Sequence, residues 1–379
     1  MIENSLCKEC GACMAVCPVG AISNEQKNGF THPIINLDKC INCKLCDYAC
    51  DLASNNVFKK SIKQKSYVAR SKEPDYFMTS RSGGFFRTIS EFYVRKYSAV
   101  VYGATVSGKK VDYERVDEVS RLNVFSGSKY VWCDHRKQLY NVAKDLQDSK
   151  IVIVSGLPCQ ISGVISFLKI KKIDSSKLIT IDIVCHGCPS KKVFDDYIDF
   201  QCRRYNDKLI EFQFRNKKDF GWSPHIETLY FQNKKVYSDI WTRTFYSHYA
   251  LRNSCFSCEY KSTNRVGDIS LADAWNIEKT DSCLNDDKGA NLVLLNSEKG
   301  IKIFDEIRNE FNYFETDLFD FMQPALKKSV DKPAKYDLFW SDYSKNGYKY
   351  VLKRYIHYGI KEKCKFFIKK KIYSKNKSK

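Results

Sequence analysis

The chain has 379 residues, enough for one large domain or for two or three smaller ones with separate cores. Its 43% hydrophobic and 14% aromatic residues exclude a disordered or fibrous chain. No apolar run reaches the roughly 18 residues of a membrane-spanning helix, and the first residues lack the features of a signal peptide. We therefore expect a globular protein of the cytoplasm.

The net charge of +19 is spread along the chain, with one concentration at its end. Lys361–Lys379 holds nine lysines and one glutamate. Such a tail favours an anionic partner, and a basic amphipathic helix over Tyr348–Lys371 could lie on the inner face of a membrane. A solvated terminus without a partner explains the same charges. We expect no nucleic-acid partner, because no folded nucleic-acid-binding motif accompanies the lysines.

Eight of the 17 cysteines lie within the first fifty residues. They form two copies of C-x2-C-x2-C-x3-C, the spacing of bacterial ferredoxins with two 4Fe-4S clusters. In that pattern the fourth cysteine of each copy binds the other cluster. The predicted ligands are Cys7, Cys10, Cys13 and Cys50 for the first cluster, and Cys40, Cys43, Cys46 and Cys17 for the second. Zinc is the alternative, but this is not the spacing of paired zinc knuckles.

The main body begins after a polar, lysine-rich stretch, Asn55–Asp75, that we interpret as a linker. A glycine turn and a helix follow over Arg81–Val94. Short apolar runs then predict buried strands, with a helix between the last two, which indicates a parallel α/β sheet. These strands lie within Ser98–Val106, Lys150–Gln160 and Lys177–Gly187.

Two further cysteines, Cys159 and Cys185, come directly after apolar runs of the predicted sheet. Ligands gather at the carboxyl ends of parallel strands, so we expect these two thiols to be close in space. Cys255 and Cys258 have the spacing of a metal knuckle, and the four thiols together predict a third metal site. Cys188 would replace Cys185 as a ligand if Cys185 points away from the site. The alternative to a metal site is that these cysteines are free thiols in the core.

Five ordered blocks resemble the coenzyme F420 hydrogenase/dehydrogenase beta-subunit family. They are Ser82–Phe92, Gly127–Val131, Ser155–Leu168, Asp182–Tyr197 and Cys255–Trp275, and the resemblance covers roughly residues 80 to 320. It implies FAD near the glycine turn and the Gly-Ser-Lys-Tyr block. It also implies a 4Fe-4S cluster held by Cys159, Cys185, Cys255 and Cys258.

The predicted fold class is α+β, with a two-cluster ferredoxin-like domain followed by an α/β flavoprotein domain. The predicted boundaries are 1–54 for the ferredoxin domain, 55–79 for the linker, 80–158 and 159–325 for the two regions of the body, and 326–379 for a basic helical tail.

The resemblance also implies roles near the flavin. We expect backbone of the glycine turn to approach it, a lysine to balance negative charge and two aspartates to orient it. The predicted cofactor-binding residues are Ser82, Gly83, Gly84, Ser128, Lys129, Tyr130, Asp268 and Asp273. His186 is the predicted proton donor, since imidazole titrates near neutral pH. Structural explanations also exist. The Ser-Gly-Gly turn could simply begin a helix, Lys129 could be a solvated surface lysine, and His186 could be a hydrogen-bonded neighbour of the cluster loop.

Two positions depart from the family pattern: Cys188 stands where an aliphatic residue is common, and Ala272 where glycine is usual. The predicted function is an iron–sulfur flavoprotein oxidoreductase that passes electrons between a hydride carrier, such as coenzyme F420, and 4Fe-4S clusters. Two alternatives remain. One is an electron-transfer subunit, linked to polysaccharide biosynthesis, whose redox partner protein binds the substrate. The other is a scaffold with structural clusters.

Overall fold

The computed structural model describes residues 6–50 and 62–375. The strands in these residues are β1 (Ile22–Lys27), β2 (Phe30–Ile35), β3 (Lys65–Ser71), β4 (Val100–Ser107), β5 (Lys110–Val116), β6 (Val152–Gly156), β7 (Leu178–Ile183), β8 (Leu209–Gln213), β9 (Glu227–Phe231), β10 (Lys235–Ser238), β11 (Ile269–Asp273), β12 (Asn291–Leu295) and β13 (Phe311–Glu315). The helices are α1 (Ala12–Val16), α2 (Leu45–Tyr48), α3 (Pro74–Thr79), α4 (Phe85–Tyr97), α5 (Gln138–Gln147), α6 (Pro158–Ile170), α7 (Lys191–Tyr205), α8 (Lys217–Phe220), α9 (Ile240–Tyr246), α10 (Glu298–Ile307), α11 (Tyr336–Arg354) and α12 (Ile360–Lys375).

An eight-stranded sheet in the order β13-β3-β12-β11-β7-β6-β4-β5 forms the centre of the body. Its four middle strands, β11, β7, β6 and β4, are parallel, and the flanking pairs are antiparallel. The parallel strands are short apolar runs buried on both faces, as expected where helices cover both sides of a sheet. The predicted fold class is therefore confirmed, with antiparallel edges added to the parallel centre.

The segment predicted as a linker contains a strand of this sheet. β3 pairs antiparallel with both β12 and β13, and its Val68 and Ala69 are completely buried. The linker interpretation was therefore wrong from Lys65 onward. The surrounding lysines and serines concealed a strand whose hydrogen bonds come from partners more than 200 residues away. Residues 51–61, which hold the rest of the predicted linker, lie outside the described residues.

The ferredoxin-like unit shares a hydrophobic core with the body. Ala12 and Val16 of α1 are buried in one cluster with Ile161 and Val164 of α6. Next to α1, the hairpin of β1 and β2 pairs Ile22 with Ile35. The unit is thus packed onto the helix that follows β6.

The predicted carboxy-terminal tail is helical, but only its second helix is largely exposed. α11 buries Phe339 and Trp340 in a core with α7 and the small antiparallel sheet of β8, β9 and β10. α12 carries the exposed apolar side chains Phe367 and Ile368 among its lysines. Among the helices described, none has the length and apolar character needed to cross a membrane.

Candidate functional site

The first set of thiols surrounds a cavity beside α1. Cys7, Cys10, Cys13 and Cys50 all line it. Gly11 immediately precedes α1 and has the left-handed conformation, with φ 74°, which glycine adopts without strain. This turn directs the neighbouring cysteines towards one space. The structure thus brings together the four thiols that the ferredoxin spacing assigns to one cluster.

Burial makes these thiols poor acids in the absence of a ligand. It raises the pKa of Cys13 to about 12, and the nearby thiols of Cys7 and Cys50 contribute to the same shift. The pKa of Cys10 is raised for the same reasons. Since only thiolates bind iron, cluster insertion has to release protons here.

The second set, Cys17, Cys40, Cys43 and Cys46, lies nearer the surface. Cys43 is exposed and the other three are partly buried. Desolvation raises the pKa of Cys46, with contributions from Asp47 and Cys43. The sulfur of Cys17 accepts a hydrogen bond of 3.3 Å from the backbone N–H of Ala21. This is the most solvent-accessible of the three cysteine sets within the described residues.

The third set comes from three parts of the body. Cys159 lies at the start of α6, Cys185 follows β7, and Cys255 and Cys258 belong to a short 3-10 turn and its end. All four line a second cavity, and the buried Cys188 lines it as well. The quartet predicted from spacing is thus assembled, and the substitute ligand lies beside it.

The chemistry of these donors fits iron–sulfur clusters. The thiols of the first set and those of the third set each line one cavity, and four thiolates around one space are the donors that a 4Fe-4S cluster requires. Within residues 6–50 and 62–375, no three Cys, His, Asp or Glu side chains converge on a point that could hold a single metal ion. The thiols are arranged around cavities instead.

The first and third sets are neighbours. Cys159 lines both cavities, as do Lys8 and Tyr260. α6, which begins with Pro158 and Cys159, lies against the first loop at Gly163, where a Cβ would be 2.6 Å from the Cβ of Cys10. A glycine is therefore required for this approach of helix and loop.

We expect Gly163→Ala to destabilise the protein by about 1 to 3 kcal/mol and to lower the iron content of the first set, because the added methyl group overpacks against Cys10. Urea unfolding and iron analysis measure both effects. Ser162→Ala is the matched control, since the buried Ser162 hydroxyl has no hydrogen-bond partner among the described residues. Equal stability and iron content in the two variants would show that the close approach is unimportant.

A buried ion pair holds the knuckle loop to β7. Arg265 and Asp182 are 1% and 0% exposed, and their closest N···O distance is 2.5 Å. The same guanidinium donates to the carbonyl oxygens of Tyr260 and Ile183, and Asp182 accepts from the N–H of Gly267 at 2.7 Å. The pair thereby fixes the loop after Cys258 beside the strand that precedes Cys185.

His186 lies between the third thiol set and a group of aromatic side chains. Its Nε2 is 2.9 Å from Nε2 of His248, and its ring centre is 5.2 Å from that of Tyr246. Burial lowers its pKa to about 4, with help from His248 and Lys261. A neutral imidazole next to a second histidine can pass a proton along this pair.

Beyond His186 lies a cluster of cationic and aromatic side chains at the carboxyl end of β11. We call it the cationic–aromatic cluster; it consists of Arg81, Tyr130, Arg215, Trp222, His225, Tyr246, Asp273 and Trp275. Trp222 and Trp275 stack with ring centres 4.6 Å apart, and Arg81 lies over both rings. Arg215 lies 5.7 Å from the centre of the Tyr130 ring. Positive charge beside flat rings suits an anionic, planar ligand.

Arg81 has unused donors in this cluster. Its Nη1 donates to the carbonyl oxygen of Trp222 at 2.7 Å, and Nη2 faces Asp273 at 3.4 Å. Nε and Nη2 are buried without a hydrogen-bond partner among the described residues. Buried donors of this kind are normally satisfied, so a bound ligand is a reasonable acceptor.

The predicted glycine turn lies beside this cluster, but other segments of the chain pack directly against it. Ser82 donates to the carbonyl oxygen of Ala290 at 2.6 Å. A Cβ on Gly83 would be 2.4 Å from the carbonyl oxygen of Ala69, and one on Gly84 would be 2.9 Å from backbone of Phe77. The two glycines thus permit close packing between chain segments.

The remaining predicted flavin residues divide into two groups. Tyr130 and Asp273 belong to the cationic–aromatic cluster, and Ser128 lies 3.3 Å from the Tyr130 hydroxyl. Lys129 donates instead to the carbonyl oxygens of Phe125 and Ser126.

Asp268 lies at the opposite end of β11 from Asp273. Its carboxylate accepts from the N–H and hydroxyl of Thr180 and from the Ser297 hydroxyl at the start of α10. The carboxylate of Asp268 therefore joins β7 to α10 and lies away from the cationic–aromatic cluster.

Sequence reasoning missed the cations of the cluster. Arg81 directly precedes the Ser-Gly-Gly turn, so the residue next to that block carried the signal. Arg215 and His225 come from segments without a motif, and only the fold brings them to β11. Among the aromatic side chains between residues 231 and 246, Trp241 and Phe231 are core residues, whereas Tyr246 reaches the cluster.

We expect His225 to remain neutral down to acidic pH. Burial, Arg215, Arg81 and Lys369 lower its pKa to about 2. The unfolded value is about 6.5, so the folded chain binds fewer protons and loses stability as pH falls below about 6.5, by up to about 1.4 kcal/mol per pH unit. His225→Gln should flatten this slope in urea unfolding between pH 6 and 4. The same slope in both proteins would contradict a neutral His225.

Two thiol sets that line cavities, joined to an α/β body, indicate an iron–sulfur protein. Residues 6–53 match the model of the 4Fe-4S dicluster domain. Residues 149–319 match the model of the carboxy-terminal part of the coenzyme F420 hydrogenase/dehydrogenase beta subunit. The resemblance seen in the sequence blocks is thereby confirmed: the chain combines a segment that matches a 4Fe-4S dicluster domain with a segment similar to the carboxy-terminal part of this beta subunit.

No curated protein sequence matches the chain. Among solved structures, it is similar to a chain from "Xenon derivatization of the F420-reducing [NiFe] hydrogenase complex from Methanosarcina barkeri", with 12% identity and a TM-score of 0.48. The similarity covers 78% of this chain and 91% of that chain.

Proposed function

We propose that the chain is an iron–sulfur flavoprotein that exchanges electrons between a hydride carrier and a redox partner. The observation that carries the proposal is the order of its sites: the cationic–aromatic cluster, His186, the third thiol set, the first set and the exposed second set. Adjacent members share contacts or cavity walls, from Tyr246 and His186 to Cys159 and Cys10. Such an order suits a route between a buried two-electron site and the surface.

We place FAD at the cationic–aromatic cluster. Arg81 supplies a buried Nε donor that has no hydrogen-bond partner among the described residues, and Arg215 adds positive charge for a phosphate or a reduced ring. A bound flavin accepts two electrons as a hydride and releases them singly, which connects hydride carriers to one-electron clusters. The closed glycine turn positions Arg81 through the backbone of Ser82.

The chain's own residues then have distinct tasks. Arg81 and Arg215 bind negative charge, and Trp275 and Tyr246 provide rings for a planar ligand. His186, held by His248 at 2.9 Å, takes or returns the proton that accompanies hydride chemistry. The twelve cysteines of the three sets hold the clusters.

The partner would meet the chain at the second thiol set. Leu37 and Ile41 flank Cys40 and are 81% and 61% exposed, and Tyr48 beside them is 68% exposed. An apolar surface around an exposed redox site is suited to transient contact with a one-electron carrier protein. We place this exchange in the cytoplasm, where thiols stay reduced; contact of α12 with a membrane is a separate hypothesis.

The second candidate function is an electron-transfer subunit whose partner protein binds the substrate. The family match favours it, because the matched model describes one subunit of an enzyme. The purified chain should reduce its own flavin with a hydride donor if it holds the substrate site. A flavin that is reduced only after a partner is added would favour the subunit.

The first test is anaerobic purification with analysis of iron, sulfide and flavin. We expect about twelve irons and one FAD per chain, and about eight irons in a Cys159→Ala, Cys258→Ala variant. Cys202→Ala is the matched control, since Cys202 lies on α7 outside the three sets. About eight irons in all three proteins, without flavin, would refute the third cluster and the flavin together.

A further inference from the structure

Arg252 is a buried cation between the ferredoxin-like unit and the body. It is 2% exposed, and its guanidinium donates to the backbone oxygen of Lys8 and to the carboxylate of Glu9 at 3.0 Å. It also lies 4.0 Å from the ring centre of Trp132. Its charge is thus fixed in one place and kept from water.

The same residue lines the cavity of the third thiol set. Its backbone N–H donates to the carbonyl oxygen of Cys188, and its carbonyl oxygen accepts from the N–H of Cys255. The Nε atom of Arg252 is buried without a hydrogen-bond partner among the described residues.

The ion pair joins the loop of the first set to that of the third. Glu9 lies between Cys7 and Cys10, and Arg252 lies three residues before Cys255. A second bond, from the Ser254 hydroxyl to the carbonyl oxygen of Cys7 at 3.0 Å, runs parallel to it. Both charges therefore act at the boundary between the two sets.

We propose that Arg252 is a positioning residue that raises the reduction potential of the cluster in the third thiol set, and that Glu9 limits this effect. The inference rests on the proposed function, since it assigns a cluster to that set. Reduction adds one negative charge to a cluster, and a fixed positive charge nearby stabilises the reduced form. A carboxylate paired with that cation opposes it. Arg252 thereby makes the third cluster a better acceptor for electrons that leave the flavin, and Glu9 sets the size of this effect.

The test is a reductive titration of the full holoprotein, followed by electron paramagnetic resonance. The third cluster is the signal lost in the Cys159→Ala, Cys258→Ala variant. In Arg252→Gln, we expect its reduced-to-oxidised ratio at the parent midpoint to fall about tenfold, which is about 59 mV for one electron. In Glu9→Gln, the ratio should rise, because the opposing carboxylate is removed. Arg252→Lys should keep most of the effect.

The reduced-to-oxidised ratio should change in opposite directions in Arg252→Gln and Glu9→Gln. This difference distinguishes an electrostatic role of the pair from a purely structural one. Arg243→Gln is the matched control, because Arg243 pairs with Asp239 and lines neither cysteine cavity. The second cluster, lost in Cys43→Ser, serves as an internal reference and should stay within twofold. An unchanged ratio in Arg252→Gln, or equal signs in Arg252→Gln and Glu9→Gln, would overturn the proposal. A parent with about eight irons would refute the proposed third cluster instead.

Discussion

Arg265→Met is expected to lower the free energy of unfolding by about 3 to 5 kcal/mol and to remove the iron of the third thiol set. Methionine leaves the Asp182 carboxylate buried without its cation, and breaking one side of a buried pair costs about this much. The loop that carries Cys255 and Cys258 also loses the hydrogen bonds that Arg265 donates to the carbonyl oxygens of Tyr260 and Ser262. Urea unfolding and iron analysis of the anaerobic protein measure the two losses.

The control is the double variant Arg265→Met, Asp182→Leu, which removes both charges. Stability should recover in part, because no charge remains buried and unpaired. Iron binding should remain low, since the loop is still without its bonds. A single variant as stable as the parent, with about twelve irons, would contradict the role given to this pair.

Arg81→Gln is expected to weaken flavin binding about thirtyfold or more. Truncating one partner of a buried, charged contact costs about 2 to 5 kcal/mol, and each 1.4 kcal/mol is a factor of ten in affinity. Glutamine keeps much of the side-chain length but loses the charge and the Nε donor. Fluorescence titration of the flavin-depleted protein with FAD measures the dissociation constant.

Arg121→Gln provides the comparison, because the Arg121 side chain is 51% exposed and pairs with Glu114 away from the cationic–aromatic cluster. It should bind FAD as the parent does. The iron content of Arg81→Gln should also stay at the parent value, since Arg81 contacts none of the three thiol sets. Equal FAD affinity in Arg81→Gln and the parent would place the flavin elsewhere.

Short sequence patterns predicted the features that depend on neighbouring residues, namely the cysteine groups and the buried parallel strands. The bacterial ferredoxin pattern grouped Cys7 with Cys50, because in that pattern the fourth cysteine of each copy binds the other cluster. Continuous apolar runs predicted β6 and β7, since strands of a parallel sheet are buried on both faces. The expectation that Cys159 and Cys185 are close followed from the geometry of strand ends.

The sequence did not predict those parts of the fold and of the site that depend on contacts between distant residues. β3 carries polar residues at both ends, so its strand character depends on β12 and β13, which no local pattern reveals. Asp268 and Asp273 lie at the two ends of one short strand, and sequence alone did not show which end faces the cluster. Arg215 is separated from Arg81 by 134 positions, and their shared site arises only after the sheet has formed.

The position of β3 has a consequence for how the chain is made. A ribosome releases Lys65–Ser71 long before Asn291–Leu295 and Phe311–Glu315, which pair with its two edges. Until then, this strand presents two unpaired edges, a state that invites aggregation. The iron-binding loops ahead of it are also complete before Cys159 or Arg252 emerges. Iron loading and chaperone protection are therefore expected to overlap in time during synthesis.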